Sequence, residues 1–302
     1  MLRERLLAVV AKDAALRKFT VQFVVSDDTG GRDPAIAALG EFHDVTVVQP
    51  AFNLGHQRAI VYALRHAARH IANTDVIVTM DSDGQDRPED LTRMLAPMLA
   101  GEDSQTVVLA RRTRREESVP FKLCYLAFRI GFRALTGKVI RSGNYAAYRG
   151  VVGRRLLWHP YFDLCYSSSL IALDLPVHYV PCERGQRYGG ESRMNIQKLV
   201  MHGLSMLIPF TDRIAIRTLF ACFALAVTSI ALALTVLAVR LLTPSAIPGW
   251  ATYTFLGLAV LTVVLFGNII VLFVVFSQSR GTALAGIEYL GDPAGSASNE
   301  AD

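Results

Sequence analysis

Two uncharged apolar stretches near the C-terminal end constrain the fold of this chain more than any other feature. They run from Thr218 to Val239 and from Phe255 to Phe276, and each exceeds the roughly 20 residues that a helix needs to cross a bilayer. A segment with two prolines and a glycine, 243–249, separates them. A pair of buried core helices is the alternative, but two such spans joined by a short turn favour a two-helix transmembrane anchor over residues 213–280.

The charged flanks of the two spans predict their orientation. Arg213, Arg217 and Arg280 flank one side, whereas the connecting segment has almost no charge beyond Arg240. Basic flanks remain in the cytosol, so we expect a multi-pass protein of the cell inner (plasma) membrane with its N-terminal region and its tail, 281–302, on the cytosolic side. The tail is expected to be partly disordered. Charges are spread through the first 18 residues, which is not the pattern of a signal peptide.

Composition excludes several other classes of protein. Hydrophobic residues make up 52% of the chain and charged residues 19%, which argues against a disordered chain. The four cysteines are scattered without a C-x-x-C pair, so a disulfide scaffold is excluded and reduced thiols are expected. The segment 194–212 is apolar with a few polar residues and too short to span. It suits an amphipathic helix in the membrane interface, or alternatively an ordinary packed helix.

The N-terminal region alternates strands with helices. Four strands are predicted within 20–25, 45–48, 75–80 and 106–110, and helices within 1–16, 55–72 and 87–99. This alternation predicts an α/β fold with a mostly parallel sheet, in which ligands bind at the carboxyl ends of the strands. Polar residues directly after a strand are therefore the candidates for chemistry.

Three polar runs follow predicted strands. They are Asp27-Asp28, the run Asn53 to Arg58, and the run Asp81 to Asp86. In the last run, Asp81 and Asp83 place two carboxylates at i and i+2, which suits Mg²⁺ or Mn²⁺ together with substrate phosphate oxygens. An acidic turn that caps the following helix is the alternative. No P-loop, dinucleotide fingerprint or zinc motif is present in the sequence.

A basic segment follows the fourth strand. Residues 111–155 include twelve Lys or Arg and only two acids. Anionic lipid headgroups or an acceptor phosphate suit such a cluster beside a membrane, and Arg111, Arg112 and Lys122 are the candidates for the phosphate. Few aromatic residues are interleaved, so nucleic acid is not an expected partner. The seven histidines show no convincing metal spacing, and we assign them no catalytic role.

Taken in order, these runs resemble the inverting glycosyltransferases of family 2, which have the nucleotide-sugar-binding GT-A fold. The matching stretches are 23–28, 53–60, 81–89 and 187–193, followed by two membrane helices. Within the family, the chain looks most like the branch containing dolichol-phosphate mannose synthase and the bacterial polyprenyl-phosphate glycosyltransferases. The resemblance implies a GT-A-like cytosolic domain over residues 1–193, a nucleotide-sugar donor and a polyprenyl phosphate acceptor.

The resemblance also implies roles for individual residues. Either Asp27 or Asp28 would contact the nucleotide base, Asp81 would lie near the ribose, and Asp83 near the metal and diphosphate. The expected nucleotide-sugar contacts are Asp27, Asp28, Asn53, Gly55, Gln57, Arg58, Asp81 and Asp83, with Asp81 and Asp83 as the metal ligands. The loop carrying Arg187, Ser192 and Arg193 would close over the donor and acceptor phosphates, with Arg187 and Arg193 assisting catalysis. Asn144 and Tyr145 would form a turn near the acceptor.

Family members usually open with a strand and a P-x-Y-N-like turn, and here the sequence begins at the helix that would follow. Either the start lies upstream or a nucleotide-binding element has been lost, so the first strand of the sheet is expected to be missing. Three functions remain open: transfer to polyprenyl phosphate, transfer to a glycan or glycolipid hydroxyl, and an inactive membrane scaffold. Neither Asp163 nor Asp174 is in a recognisable setting for a general base. A homo-oligomer is possible.

Overall fold

The computed structural model describes residues 1–101, 104–112, 119–157, 162–163, 165–189, 196–242 and 249–279. These form two compact units, Met1–Thr211 and Asp212–Asp302. The expected interfacial helix begins at Ile196 and runs to Leu207, within the first unit. The predicted tail, 281–302, lies outside the described residues.

The first unit alternates helices and strands, as the sequence predicts. Its strands are β1 (Phe23–Ser26), β2 (Val45–Val48), β3 (Val76–Thr79), β4 (Val107–Arg112), β5 (Ser142–Arg149) and β6 (Val177–Cys182). Its helices are α1 (Leu2–Lys12), α2 (Pro34–Ala37), α3 (His56–Ala67), α4 (Leu91–Leu99), α5 (Val119–Thr136), α6 (Gly150–Leu157), α7 (Tyr166–Ala172) and α8 (Ile196–Leu207). Short 3₁₀ turns occupy Ala38–Glu41, Pro88–Asp90 and Ile208–Phe210.

The strands form two sheets, which are only partly parallel. β1 pairs with β2 in parallel, and a second sheet has the order β3-β5-β4-β6. In that sheet β5 runs antiparallel to both of its neighbours, whereas β4 and β6 are parallel. The expectation of one mostly parallel sheet is therefore wrong, because an antiparallel strand lies between β3 and β4.

β5 is one of two strands, with β6, that the sequence did not predict. Its start, Ser-Gly-Asn, is typical of a turn, and we expected a turn at Asn144 and Tyr145. The structure corrects this: both lie inside β5, where Asn144, Tyr145, Ala146 and Ala147 are buried. The polar Asn144 therefore lies beside Thr79, at the carboxyl end of β3.

The core of the first unit lies where α1 and α4 cover one face of the second sheet. Leu6 of α1 and Met94 of α4 pack in one buried cluster with Val108, Tyr145 and Val180. β4 is fully buried at its centre, whereas the residues of β1 and β3 are only half-buried. Among the described strands, none pairs with β1 on the edge away from β2 or with β3 on the edge away from β5.

The second unit contains α9 (Thr211–Leu242) and α10 (Trp250–Ser279), although Thr211 itself closes the first unit. Both helices are long and apolar enough to cross a membrane. Only 17% and 6% of their most apolar windows are buried, which argues against the alternative of core helices. The Ser229 hydroxyl donates to the Leu258 carbonyl at 2.9 Å and the Thr262 hydroxyl donates to Ser229 at 3.0 Å, so polar contacts join the pair.

Candidate active site

The acidic loop after β3 is folded by its own hydrogen bonds. The backbone N–H of Asp81 donates to the Asp86 carboxylate at 2.9 Å, and the N–H of Gln85 donates to Asp83 Oδ1 at 3.0 Å. Gly84 between them has a φ of +89°, a conformation that favours glycine. The turn therefore presents Asp81 and Asp83 at the carboxyl end of β3, as the sequence predicts.

The loop after β6 closes directly on this acidic loop. The backbone N–H of Tyr188 donates to the carbonyl of Asp83 at 2.8 Å, and that of Gly185 donates to the carbonyl of Gln85 at 2.9 Å. A Cβ at Gly185 would lie 2.3 Å from the carbonyl oxygen of Gly84, so only glycine allows this approach. The two loops are held together backbone to backbone.

An ion pair joins the same two loops. Nη2 of Arg187 lies 3.0 Å from Oδ2 of Asp83, and both side chains are about one third exposed, at 30% and 32%. Arg5, Arg87, Arg184 and Arg187 border an adjacent cavity of about 480 Å³. Glu89 and Glu183 pair with two of them, Arg5 and Arg87, and the remaining excess of guanidinium groups favours an anionic ligand such as a phosphate or diphosphate.

The carboxylate of Asp81 faces two partners that the sequence analysis did not assign to it. His56 Nε2 lies 3.2 Å from Asp81 Oδ1, and the Asn144 amide donates to the same oxygen at 3.2 Å. The hydrogen bond and negative charge of Asp81 raise the pKa of His56, against an opposing desolvation effect. His56 belongs to the site although we assigned the histidines no role. The available signal was its position in the run that follows β2.

Asp27 and Asp28 shape loops around the site. Asp27 is buried, and its carboxylate accepts from the Thr29 hydroxyl at 2.6 Å and the Thr29 and Gly31 backbone N–H groups. These bonds, led by that of the Thr29 hydroxyl, lower the pKa of Asp27. Asp28 accepts from the backbone N–H groups of Leu54 at 2.6 Å and Gly55 at 2.9 Å. The loops after β1 and β2 are thus connected through Asp28.

The remaining residues of the 53–58 run have different positions. The Asn53 amide donates to the Asp28 carbonyl at 2.6 Å, and Gly55 precedes α3 with a φ of +78°. Gln57 points inward and donates to Asn144 at 2.8 Å, whereas Arg58 is exposed on α3. Asn53 and Gly55 therefore shape the edge of the site, and Gln57 lies beneath it.

The family of the chain follows from a comparison with known families. A family model described as Glycosyl transferase family 2 matches residues 1–152, which include the acidic loop, His56 and Asn144. The chain belongs to glycosyltransferase family 2. No curated protein matches it. The predicted family is confirmed, while the narrower resemblance to the dolichol-phosphate mannose synthase branch stays a prediction.

The residues predicted to hold an acceptor phosphate in this glycosyltransferase are only partly described. Arg111 is exposed near the end of β4, where it is paired with Pro181 of β6. For Arg112 and Lys122 the backbone is described as strand and helix, respectively, but not the side chains. Ser192 and Arg193 lie outside the described residues. Arg187 is the predicted phosphate-binding residue that the structure brings to the acidic loop.

The carboxylate oxygens of the glycosyltransferase's acidic loop are suitable ligands for a divalent cation. Family members commonly use divalent metal ions, and Asp83 already has a cationic group, the Arg187 guanidinium, on one carboxylate oxygen. Carboxylate oxygens are the ligands that Mg²⁺ and Mn²⁺ prefer. Within the described residues no group of three or more His, Cys, Asp or Glu is arranged to hold a metal. Asp81 and Asp83 would therefore need oxygens of a bound diphosphate to complete a coordination sphere.

Proposed function

We propose that this family 2 glycosyltransferase transfers a sugar from a nucleotide-sugar donor to a polyprenyl phosphate at the cytosolic face of the plasma membrane. The observation that carries the proposal is the meeting of the acidic loop after β3 with the arginine-bearing loop after β6, through Asp83 and Arg187. Anionic donor and anionic acceptor both require cationic partners, and four arginines border the cavity beside this pair.

The chemistry of the transfer is a substitution at the anomeric carbon of the sugar. A phosphate oxygen of the acceptor forms the new bond to that carbon, while the bond to the nucleoside diphosphate breaks and its electron pair leaves on the diphosphate. Arg187 would interact with the negative charge that develops there. Asp81 and Asp83 would hold Mg²⁺ or Mn²⁺, which supplies further charge stabilisation when bound.

The choice between a phosphate and a hydroxyl acceptor depends on whether the site must supply a general base. Two acids were candidates for that role. Asp163 pairs with Arg65 at 2.8 Å, and Asp174 pairs with Lys138. A sugar hydroxyl needs a base to remove its proton, whereas a phosphate monoester is already largely ionised near neutral pH because its second pKa is about 6. A lipid phosphate therefore needs no general base from the site, whereas a glycan or glycolipid hydroxyl would need one.

One observation favours the alternative of an inactive membrane scaffold. Within the described residues, the strands are divided between two sheets, and β1 and β3 each have one unpaired edge. Loops that follow strands with an unpaired edge are held less firmly, which would weaken nucleotide binding. This alternative predicts intact folding without transfer.

Incubation of the full-length protein in detergent with a panel of labelled nucleotide sugars and polyprenyl phosphate tests the proposal. We expect labelled lipid from at least one donor, and loss of that product in excess EDTA. Absence of labelled lipid with every donor, from protein that is folded by circular dichroism, would support the scaffold instead.

A further inference from the structure

A chain of side-chain amides beneath the acidic loop has a direction that a backbone group determines. The backbone N–H of Ser167, at the start of α7, donates to Gln57 Oε1 at 3.1 Å. A backbone N–H can only donate, so it identifies this atom of the Gln57 amide as the oxygen. The Ser167 hydroxyl, at 3.3 Å, and the Cys165 thiol, at 3.5 Å, approach the same oxygen.

The fixed orientation of Gln57 determines the orientation of Asn144. Because Oε1 of Gln57 faces Ser167, its Nε2 faces Asn144 and donates to Asn144 Oδ1 at 2.8 Å. Asn144 must then direct its own Nδ2 toward the acidic loop. There Nδ2 lies 3.2 Å from Asp81 Oδ1 and 2.5 Å from His56 Nε2. The direction of each hydrogen bond is thus fixed from Ser167, through the Gln57 and Asn144 amides, to Asp81.

The surroundings hold this chain of amides rigidly. Asn144 is 7% exposed and Ser167 is 4% exposed. The Thr79 hydroxyl of β3 donates to the backbone carbonyl of Asn144 at 2.7 Å and lies 2.7 Å from the Tyr166 hydroxyl. β3 and α3 therefore contact Asn144 directly, and α7 contacts Thr79 and Gln57 on either side of it. Rotation of the Asn144 side-chain amide would break its hydrogen bonds with Gln57 and Asp81.

We propose that Gln57 and Asn144 are positioning residues that act in series: Gln57 orients Asn144, and Asn144 orients the Asp81 carboxylate toward the donor. The proposal rests on the proposed function for the identity of that donor. It differs from the expectation that Gln57 itself binds the nucleotide sugar, because both ends of the Gln57 amide are engaged inside the protein. Neither residue needs to touch the donor in order to affect its binding.

Replacement of Gln57 by Glu tests the serial arrangement. In Gln57→Glu one carboxylate oxygen still accepts from the Ser167 N–H. The other oxygen replaces the Nε2 amide group, so that two acceptor oxygens would face each other at Asn144 Oδ1. Asn144 must then turn its oxygen toward Asp81, which repels that carboxylate. Outer residues that orient a binding group typically contribute about 10–100-fold, so we expect the KM for the nucleotide sugar to rise about tenfold. The KM for the lipid should change less than about twofold.

A double-mutant cycle with Asn144→Ala separates the serial arrangement from direct donor binding by Gln57. Asn144→Ala alone should raise the donor KM, and adding Gln57→Glu should then raise it less than about twofold further. A tenfold further rise in this background would mean that Gln57 contacts the donor itself, and would overturn the proposal. Gln49→Glu, an exposed glutamine after β2, is the matched control and should leave the donor KM unchanged. Asn144→Ser replaces Asn144→Ala if the latter does not fold.

A measurement without substrate keeps this proposal distinct from the proposed function. If the wild-type protein uses no donor, the proposed transferase activity fails, but the thermal unfolding midpoint in detergent still reports on the amide chain. Gln57→Glu should lower that midpoint more in the wild-type background than in Asn144→Ala. Equal shifts in the two backgrounds would overturn the series of contacts whatever the activity is.

Discussion

Arg187 and Asp83 form the ion pair that joins the loop after β6 to the acidic loop after β3, with 3.0 Å between Nη2 and Oδ2. Both side chains are about one third exposed, and exposed pairs typically contribute only about 0–1 kcal/mol. A diphosphate or a divalent cation can therefore replace this contact at little cost. The backbone hydrogen bonds from Tyr188 and Gly185 hold the two loops in register, and the pair leaves both charges partly exposed to a ligand.

Asp83→Asn should abolish sugar transfer while leaving expression and membrane insertion intact. An amide is a poor ligand for a hard dication, and the variant also loses the charge that holds Arg187. Transfer of labelled sugar to lipid measures the effect. Asp163→Asn, which removes an exposed acid paired with Arg65, is the control and should retain activity. Full activity of Asp83→Asn, or of wild-type protein in excess EDTA, would refute the assignment of this loop.

Arg187→Ala should raise the KM for polyprenyl phosphate more than the KM for the nucleotide sugar, with partial rescue at high lipid concentration. The reason is that an anionic acceptor must be held beside an anionic donor. Arg193→Ala is expected to behave in the same way if its loop closes over the acceptor. Steady-state kinetics with each substrate varied in turn decides the point. An unchanged lipid KM with a large loss of nucleotide affinity would assign these arginines to the donor.

The local elements of this protein could be predicted from sequence better than their assembly. β2 was predicted at its exact bounds, and the acidic loop after β3 was found from the apolar strand before it. β5 was missed because its turn-like start forms a strand only when β3 and β4 pair on either side of it. For the same reason, no sequence pattern could bring Asn144 and His56 together at Asp81.

Topology can be tested with single cysteines on either side of the two apolar helices. A cysteine at Ser245, in the nearly uncharged connection, should react with a membrane-impermeant reagent added outside intact cells, because basic flanks favour the cytosolic side. A cysteine at Ser296 should react only after the membrane is permeabilised. Wild-type protein controls for the four native cysteines. The reverse pattern would place the acidic loop on the face opposite to cytosolic nucleotide sugars.

The attachment of α1 should weaken at acidic pH, because Asp44 then becomes protonated. The Arg3 guanidinium donates to both carboxylate oxygens of Asp44 at 2.7 to 3.1 Å, and this interaction lowers the pKa of Asp44. A carboxylate whose pKa is lowered in the folded state stabilises the protein at pH values above its unfolded-state pKa of about 3.9. That stabilisation is lost as the pH falls through the lower, folded-state value.

The unfolding midpoint of wild-type protein should therefore exceed that of Asp44→Asn by a constant amount above about pH 5, where the unfolded carboxylate is ionised. The difference should shrink as the pH falls below about 4. Thermal unfolding in detergent across this range measures it. A difference that does not vary with pH would show that the Arg3–Asp44 pair does not stabilise α1 through its charge.

The most direct test of the account compares two acceptors that differ only in the phosphate. Full-length protein is supplied with one nucleotide sugar and with either polyprenyl phosphate or the polyprenol of the same chain length. We predict sugar transfer to the phosphate alone, giving an acid-labile product whose sugar is joined through a phosphodiester and releasing one nucleoside diphosphate for each sugar transferred. Transfer to the polyprenol at a comparable rate would contradict the account, because a hydroxyl acceptor needs a general base whereas the proposed phosphate nucleophile does not.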